Sequence, residues 1–106
     1  MGVESFPPGW EFLPVHRRGE LAGFFCFKDN EIHAYRLETF AGHWLTRRDI
    51  EAIAAPLLQR FGSIRTTVRA GNAAGHRFVT RLGFCATHEA DGLTHYATER
   101  LNHARH

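Results

Sequence analysis

The sequence predicts one α+β domain of 106 residues, in which two helices pack against a mostly antiparallel sheet. Three observations lead to this fold class. Short alternating or strongly apolar segments, typical of strands, surround two segments with helical periodicity. Turn-forming residues separate neighbouring strands. Apolar residues make up 43% of the chain, which is enough for one core. The predicted element order is β-β-β-α-β-α-β-β.

The first third of the chain predicts three strands, at residues 10–16, 21–28 and 32–37. Pro14 in the first strand suits an edge strand or a bulge, because proline cannot donate to a sheet ladder. The second strand, LAGFFCFK, has the apolar character of a central strand. Asp29 and Asn30 predict a tight hairpin turn between the second and third strands, since both residue types tolerate positive φ.

A helix is predicted over residues 47–61. Thr46 is a suitable N-cap, with Asp49 three residues later in the capping-box position. Pro56 is expected to kink this helix or to remove one backbone hydrogen bond, and Gly62 is expected to end it. One apolar stripe of the helix would face the sheet, and it consists of Ile50, Ile53, Leu57, Leu58 and Phe61.

The remaining elements are a strand, a helix and a final hairpin. Residues 64–70 alternate between apolar and polar and predict a strand with one buried face. Asn72 is the expected N-cap of the following helix, and Gly83 is its expected left-handed end. Phe84 then begins a strand, which is followed by a turn at residues 90–92 and a last strand at residues 93–99.

Residues 66–84, TTVRAGNAAGHRFVTRLGF, resemble the second half of the acetyl-CoA-binding core of GNAT-superfamily N-acetyltransferases. Five positions follow the family pattern without a gap: Asn72, Gly75, Phe78, Gly83 and Phe84. Val79 stands where the family usually has tyrosine. The resemblance implies the GNAT order starting from its second strand, over residues 10–100, without the usual first strand and first two helices. It also implies acetyl-CoA or a related acyl-CoA as co-substrate and an amine as acceptor.

The resemblance places the pyrophosphate of coenzyme A at the loop before the long helix, ETFAGHWLTRRD, where free amides and the helix dipole favour an anion. This loop has one glycine and the bulky Trp44 in place of the family's glycine-containing motif. In the alternative interpretation, the two arginines of the helix start are a solvated pair near acidic neighbours. The candidate cofactor-binding residues are Gly42, Thr46, Arg47, Arg48 and Asn72.

Glu38, at the end of the third strand, is the candidate catalytic base that the resemblance implies. His33 and His43 are alternative bases, and each of the three has a structural or solvent-facing role as its alternative. Val79 cannot donate a proton to the leaving thiolate. Tyr35 and Tyr96 lie in strands and are the available tyrosines, although spacing alone assigns neither of them.

Composition limits the other function classes. The net charge of +2 is too small to indicate nucleic-acid binding, and no apolar run is long enough to span a membrane. Arg65, Arg69, Arg77 and Arg81 are expected to form a solvated face rather than a phosphate-binding surface. With no secretory signal in the sequence, a cytoplasmic location is expected, where Cys26 and Cys85 would be buried and unpaired.

Eight histidines are many for this length, but their spacing predicts no metal site. His88 and His95 flank the final hairpin and are expected to face each other. His103 and His106 lie in the terminal tail.

Two functions remain open from the sequence. The first is an acyl-CoA-dependent N-acyltransferase. The second is a GNAT-like binding or assembly module without catalysis, which the valine at position 79 favours and which short phage-encoded proteins of the family resemble. A homodimer is a further expectation, because a second copy would cover the acceptor side of the site.

Overall fold

The structure is a computed structural model that describes residues 9–102. The eight predicted elements are present in the predicted order, and the predicted strand ends differ from the observed ones by one residue at most. The strands are β1 Glu11–Arg17, β2 Glu20–Lys28, β3 Glu31–Arg36, β4 Ile64–Arg69, β5 Cys85–Ala90 and β6 Leu93–Thr98. The helices are α1 Arg47–Phe61 and α2 Ala73–Leu82.

The strands form one six-stranded sheet in the order β1-β2-β3-β4-β6-β5. Neighbouring strands are antiparallel except β3 and β4, which are parallel. The α+β class predicted from the sequence is therefore confirmed. The parallel pair is joined at one register position only, Glu31 opposite Arg65, whereas β4 and β6 pair along their whole length.

Helix α1 begins and ends as predicted. The Thr46 hydroxyl accepts a hydrogen bond from the Asp49 amide at 3.2 Å, and the Thr46 amide donates to Asp49 Oδ2 at 2.9 Å, which completes a capping box. Gly62 has φ 81°, and its amide donates to the Leu58 carbonyl. The helix continues through Pro56 over 15 residues.

Helix α2 lies directly against β4. The Asn72 side chain accepts from the Gly75 amide at 3.0 Å, and Gly83 ends the helix with φ 112°. A Cβ atom at Gly75 would lie 2.9 Å from Val68 Cγ1 and 2.6 Å from Asn72 Nδ2. Glycine is therefore required at this position for α2 to approach the sheet this closely.

The core lies between the two helices and one face of the sheet, here called the helix face. Residues directly opposite each other in the register share a face, so alternate residues define the two sides. The helix face contributes Val15, Phe25, Ile32, Ile64, Val68 and Tyr96 to the core, and the helices contribute Ile50, Ala54, Val79 and Leu82. The opposite face has a row of neighbouring aromatic rings formed by Trp10, Phe12, Phe24, His33 and Tyr35.

The two cysteines differ in environment, which corrects one expectation. Cys26 is buried and unpaired, as predicted, and burial together with the nearby Glu31 charge raises its pKa to about 11. Cys85 is also unpaired, but it is exposed. The expectation that it would be buried was wrong because β5 is an edge strand, all six residues of which are exposed.

Within the described part of the chain, no helix combines the length and apolar character that a membrane crossing needs.

Candidate functional site

One concave feature of the described residues is the gap between β3 and β4, here called the β3–β4 cleft. The strands meet at Glu31 and Arg65, and no ladder joins them beyond that pair. The cleft therefore has a closed end beside this pair and an open end near Tyr35 and Arg69, four residues further along each strand. Its volume is about 510 Å³. This is within the usual size range of small-molecule sites.

Both faces of the sheet contribute to the cleft. Ile32 and Val68 line it from the helix face, and their neighbours His33 and Thr67 line it from the opposite face. Adjacent strand residues point to opposite sides, so residues of both faces of the sheet border the gap.

The two helices form the walls of the cleft on the helix face. Leu45, just before the N-cap of α1, and Ile50, in its first turn, line one side. The α2 side consists of Gly75, Phe78, Val79 and Leu82. The N-terminus of α1 therefore borders the cleft, and four of the five family-pattern positions predicted from the sequence (72, 75, 78 and 84) line it.

Polar side chains lie on β3 and β4 towards the opposite face. His33 Nε2 lies 2.7 Å from Glu31 Oε2, and the two side chains are 13% and 27% exposed. Because a carboxylate only accepts, Nε2 carries a hydrogen, and Nδ1 of the neutral ring has the lone pair. Tyr35 follows on the same strand face, with its ring centroid 6.3 Å from that of His33.

The Tyr35 hydroxyl is protonated at neutral pH. Burial raises the pKa of Tyr35 above its usual value, the Cys26 and Glu31 charges raise it further, and the Arg69 guanidinium partly offsets these effects. Tyr35 therefore borders the cleft with a protonated side chain. The Arg69 guanidinium has no hydrogen-bond or ion-pair partner within residues 9–102, so it is an available positive charge at the open end.

A second, more open groove begins at the same end. It lies between the β4–α2 turn and the β5–β6 turn, and it is lined by Gly71, Asp91 and Gly92 among others. It shares Arg69, Asn72 and Leu93 with the β3–β4 cleft. The two concave features therefore meet at the free guanidinium and the cap of α2.

Comparison with known proteins gives a fold match. No protein-family model and no curated protein matches the sequence. Among solved structures, the fold is similar to the PaiA N-acetyltransferase from Thermoplasma acidophilum in complex with coenzyme A. The TM-score is 0.68 at 16% identity, over 84% of this chain and 60% of that one. It is also similar to the ribosomal-protein-alanine N-acetyltransferase from Brucella melitensis, with a TM-score of 0.67 at 17% identity, over 85% of this chain and 68% of that one.

The chain has a GNAT-like fold. It spans 60% of the length of the PaiA neighbour. Six strands and two helices in this arrangement correspond to a reduced GNAT fold, as the residues in the 66–84 stretch predicted. At these identities the likeness concerns the fold, so the roles of individual residues depend on the geometry of the GNAT-like domain itself.

The structure brings one predicted cofactor-binding residue, Asn72, into the lining of the cleft. Thr46 lies beside the cleft as the N-cap of α1. Gly42 is exposed in the preceding loop with φ 94°, and a Cβ atom added to it would meet nothing within 4 Å. Their assignment to a cofactor stays a prediction.

The arginines at the start of α1 have different surroundings. Arg47 donates to the Asn102 carbonyl at 2.5 Å and lies 4.0 Å from the Glu51 carboxylate. Arg48 is exposed and has no polar partner in the described residues. Asp49 is paired with Arg17 and occupies the first turn of the helix, where its negative charge competes with any anion that approaches the N-terminus.

The predicted catalytic residue Glu38 lies in the exposed turn after β3 and is not among the residues that line the cleft. His43 is exposed in the same loop. Of the two tyrosines, Tyr35 lines the cleft, whereas Tyr96 is buried and bonded to His76 Nδ1 at 2.7 Å. A catalytic role for Glu38 stays a prediction.

Sequence reasoning did not single out the Glu31–His33 pair. The signal was present, because EIHAY places Glu31, His33 and Tyr35 at alternate positions of one strand and so on one face. The sequence does not show which strand lies beside this one in the sheet, or that a gap separates the two strands.

Trp44 lies in the loop before α1, where the GNAT sequence pattern has a glycine-containing motif. A Cβ atom at Gly23 would lie 2.6 Å from Trp44 Cζ3, so the indole packs directly on the glycine of β2. Trp44 also packs against the core. The loop before α1 is therefore anchored by an aromatic side chain.

The histidines of residues 9–102 are not grouped as a metal centre. His88 and His95 stack across the final hairpin with ring centroids 4.2 Å apart, which confirms that they face each other. Within residues 9–102, no three His, Cys, Asp or Glu side chains are grouped to hold a metal ion. His103 and His106 lie outside the described residues.

Proposed function

We propose that this chain binds an acyl-CoA in the β3–β4 cleft and transfers the acyl group to an amine. The observation that carries the proposal is the cleft itself. Two parallel strands separate after a single register pair, and the N-terminus of one helix and the side of another flank the gap. A solved neighbour with this fold is a complex with coenzyme A.

The cleft suits the pantetheine arm of coenzyme A. That arm is an extended chain with two amide groups and an apolar gem-dimethyl segment. The facing edges of β3 and β4 are not joined by a ladder, so an extended amide-bearing molecule can pair with strand backbone there. Apolar side chains such as Leu45 and Phe78 contact the aliphatic part. This combination favours pantetheine over a compact polar ligand.

The phosphates of coenzyme A are expected at the open end of the cleft, next to its positively charged side chains. In this proposal the free amides of the α1 N-terminus bind the pyrophosphate, with Gly42 and Thr46 in the adjoining loop. Arg48 and Arg69 add positive charge from the two sides of the open end. Asn72 holds the start of α2 in place through its cap.

Acyl transfer to an amine requires one group that accepts a proton from the amine and one group that donates a hydrogen bond to the sulfur of the leaving thiolate. The amine nitrogen attacks the thioester carbonyl carbon, the C–N bond forms, and the C–S bond breaks with its electron pair on sulfur. Nδ1 of His33 accepts the ammonium proton while Nε2 remains bonded to Glu31. Tyr35 donates a hydrogen bond to the departing thiolate. Glu38 is the alternative base if the acceptor binds outside the cleft.

Ligand-dependent melting tests binding. Coenzyme A at a hundredfold excess over its Kd would stabilise the native state by about 2.7 kcal/mol. For a chain of this length that raises the Tm by roughly 10 °C. Pantetheine and adenosine 3′,5′-bisphosphate, measured separately, show which half of the molecule binds. No shift with any of the three at millimolar concentration refutes the proposal.

Two arginine variants provide a matched pair for the same assay. Arg69→Ala removes the free charge at the open end, and Arg77→Ala removes an exposed charge on α2 that lies outside the cleft lining. The first variant should weaken coenzyme A binding and the second should not. Equal effects would place the phosphates elsewhere. Arg48→Ala tests the α1 end of the site in the same way.

Transfer is tested by the release of free thiol from acetyl-CoA with a panel of amines. His33→Gln and Glu31→Gln should lower the rate of thiol release without changing coenzyme A binding. Glu38→Gln decides between the two candidate bases, His33 and Glu38. Only the variant that removes the base should alter the pH profile of thiol release.

The second candidate function is a binding module without transfer. Val79 favours it, since the family's usual tyrosine position offers no proton donor here. In that case coenzyme A binds, thiol release stays at the rate without protein for every amine, and the His33 variant behaves like the wild type.

A further inference from the structure

We propose that the cleft accepts an acyl group longer than acetyl, with its alkyl chain running towards the closed end between α2 and the sheet. This inference rests on the proposed binding of coenzyme A and specifies the acyl class. It is carried by the distribution of polar and apolar side chains along the cleft.

On the helix face, the lining near the closed end of the cleft is mostly apolar, with Thr66 as its polar member. Ile32 and Ile64 lie next to the single register pair of β3 and β4. Because α2 returns antiparallel to β4, its last turn lies at the same end and contributes Leu82, followed by Phe84. Three of these side chains belong to β3, β4 and α2, Phe84 lies between α2 and β5, and none of the four carries a polar atom.

The open end is polar, which sets the direction of the ligand. Tyr35, Arg69 and Asn72 line the cleft there, and the N-terminus of α1 borders it. A molecule with an anionic head and an apolar tail gains most when its head lies at the open end and its tail at the closed end. Acyl-CoA has this polarity, with the acyl group as its tail.

Val79 continues the apolar lining into the middle of α2, at the position where the GNAT pattern usually has tyrosine. Valine is smaller than tyrosine and has no hydroxyl. At this point the helix side of the cleft therefore offers an alkyl group apolar contact and no hydrogen-bonding partner.

The expected signature is a dependence of affinity on chain length. Each buried methylene group strengthens binding about three- to fourfold until the chain reaches the end of the cleft. Hexanoyl-CoA has four methylene groups more than acetyl-CoA. Its Kd should therefore be lower than that of acetyl-CoA by at least about tenfold, even if half of this gain is lost to ordering of the chain.

The test is calorimetric titration of the whole chain with coenzyme A, acetyl-CoA, butyryl-CoA, hexanoyl-CoA and octanoyl-CoA, each below its aggregation concentration. A Kd that falls from acetyl to hexanoyl supports the inference. A flat series, or tightest binding of acetyl-CoA, overturns it and leaves the proposed function standing if coenzyme A itself binds. Failure of every compound, coenzyme A included, refutes the proposed function instead.

A pair of valine variants checks that the trend arises in the cleft. Val79→Leu adds one carbon to the cleft wall, and Val15→Leu adds one carbon to the core at β1, away from the cleft. The first should reduce the ratio of acetyl-CoA to hexanoyl-CoA dissociation constants several-fold, and the second should leave the ratio unchanged. An equal ratio in both variants refutes the location. If a variant does not fold, the wild-type series still decides the inference.

Discussion

Replacement of Gly75 by alanine tests the closeness of α2 and β4 on which the cleft depends. The added Cβ atom would lie 2.9 Å from Val68 Cγ1 and 2.6 Å from Asn72 Nδ2. Valine is stiff at χ1 and cannot rotate away freely. Either the helix moves off the strand or the Asn72 side chain leaves its cap.

The expected cost follows from three contributions. Overpacking of this kind costs about 1–3 kcal/mol. Loss of an asparagine N-cap costs about 0.5–2 kcal/mol. Alanine is better than glycine in a helix by about 1 kcal/mol, which offsets part of the loss. We therefore expect Gly75→Ala to lower the free energy of unfolding by about 1–3 kcal/mol, with a fall in Tm of about 4–8 °C per kcal/mol.

The matched control is Gly71→Ala in the same β4–α2 connection. A Cβ atom at Gly71 meets nothing within 4 Å, and its φ lies outside the left-handed range. Alanine there should be neutral or slightly stabilising, because it restricts the unfolded chain. Urea denaturation of the two variants and the wild type gives the comparison. If Gly75→Ala is as stable as Gly71→Ala, the close approach of α2 to β4 is not a constraint.

Three further predictions concern single side chains. Partial burial acts to raise the pKa of Asp49, but hydrogen bonds from Thr46 and the Arg17 charge outweigh it, and the pKa is lowered overall. Because this folded pKa is depressed, the stabilisation is present above the unfolded value near pH 4 and is lost as the pH falls through the folded value. Asp49→Ala should therefore cost about 1 kcal/mol at pH 7 and much less at pH 2 in urea denaturation, and an equal cost at both pH values would contradict this. Tyr96→Phe removes the donor to His76 and should cost about 1 kcal/mol, a value that thermal or urea denaturation can check; an unchanged stability would mean that the 2.7 Å contact contributes nothing. A thiol reagent at pH 8 should modify one cysteine per native chain, Cys85, and a second only after denaturation, whereas modification of both in the native chain would contradict the burial of the other.

The local signals in the sequence were sufficient to predict the elements. Thr46 with Asp49 and the single Asn72 mark the two helix starts, and Gly62 and Gly83 mark the ends, because each depends on contacts within a few residues. The same locality explains why the strand ends were predicted to within one residue. The GNAT pattern also depends in part on local contacts. Two of its five positions, Asn72 and Gly75, contact each other directly.

The exposure of side chains was less predictable. Cys85 was expected to be buried, but whether a strand residue is covered depends on whether its strand is at the edge and whether a helix packs on it. Neither is a property of the six residues of β5 themselves. The packing of Trp44 was equally unpredictable, because the glycine that it contacts, Gly23, lies on another strand.

By itself the sequence determined the order of the elements, their caps and a GNAT-like fold. Only the tertiary structure shows where the candidate site, the β3–β4 cleft, lies. The cleft exists because β3 and β4, separated by more than 25 residues in the chain, pair at only one position. The gap between these strands brings His33 and Tyr35 of β3, Arg69 of β4 and the side of α2 into the lining of one cleft, while Glu38, two residues after β3, lies outside it. Periodicity shows which residues share a face, but only the pairing of distant strands shows what that face lies against.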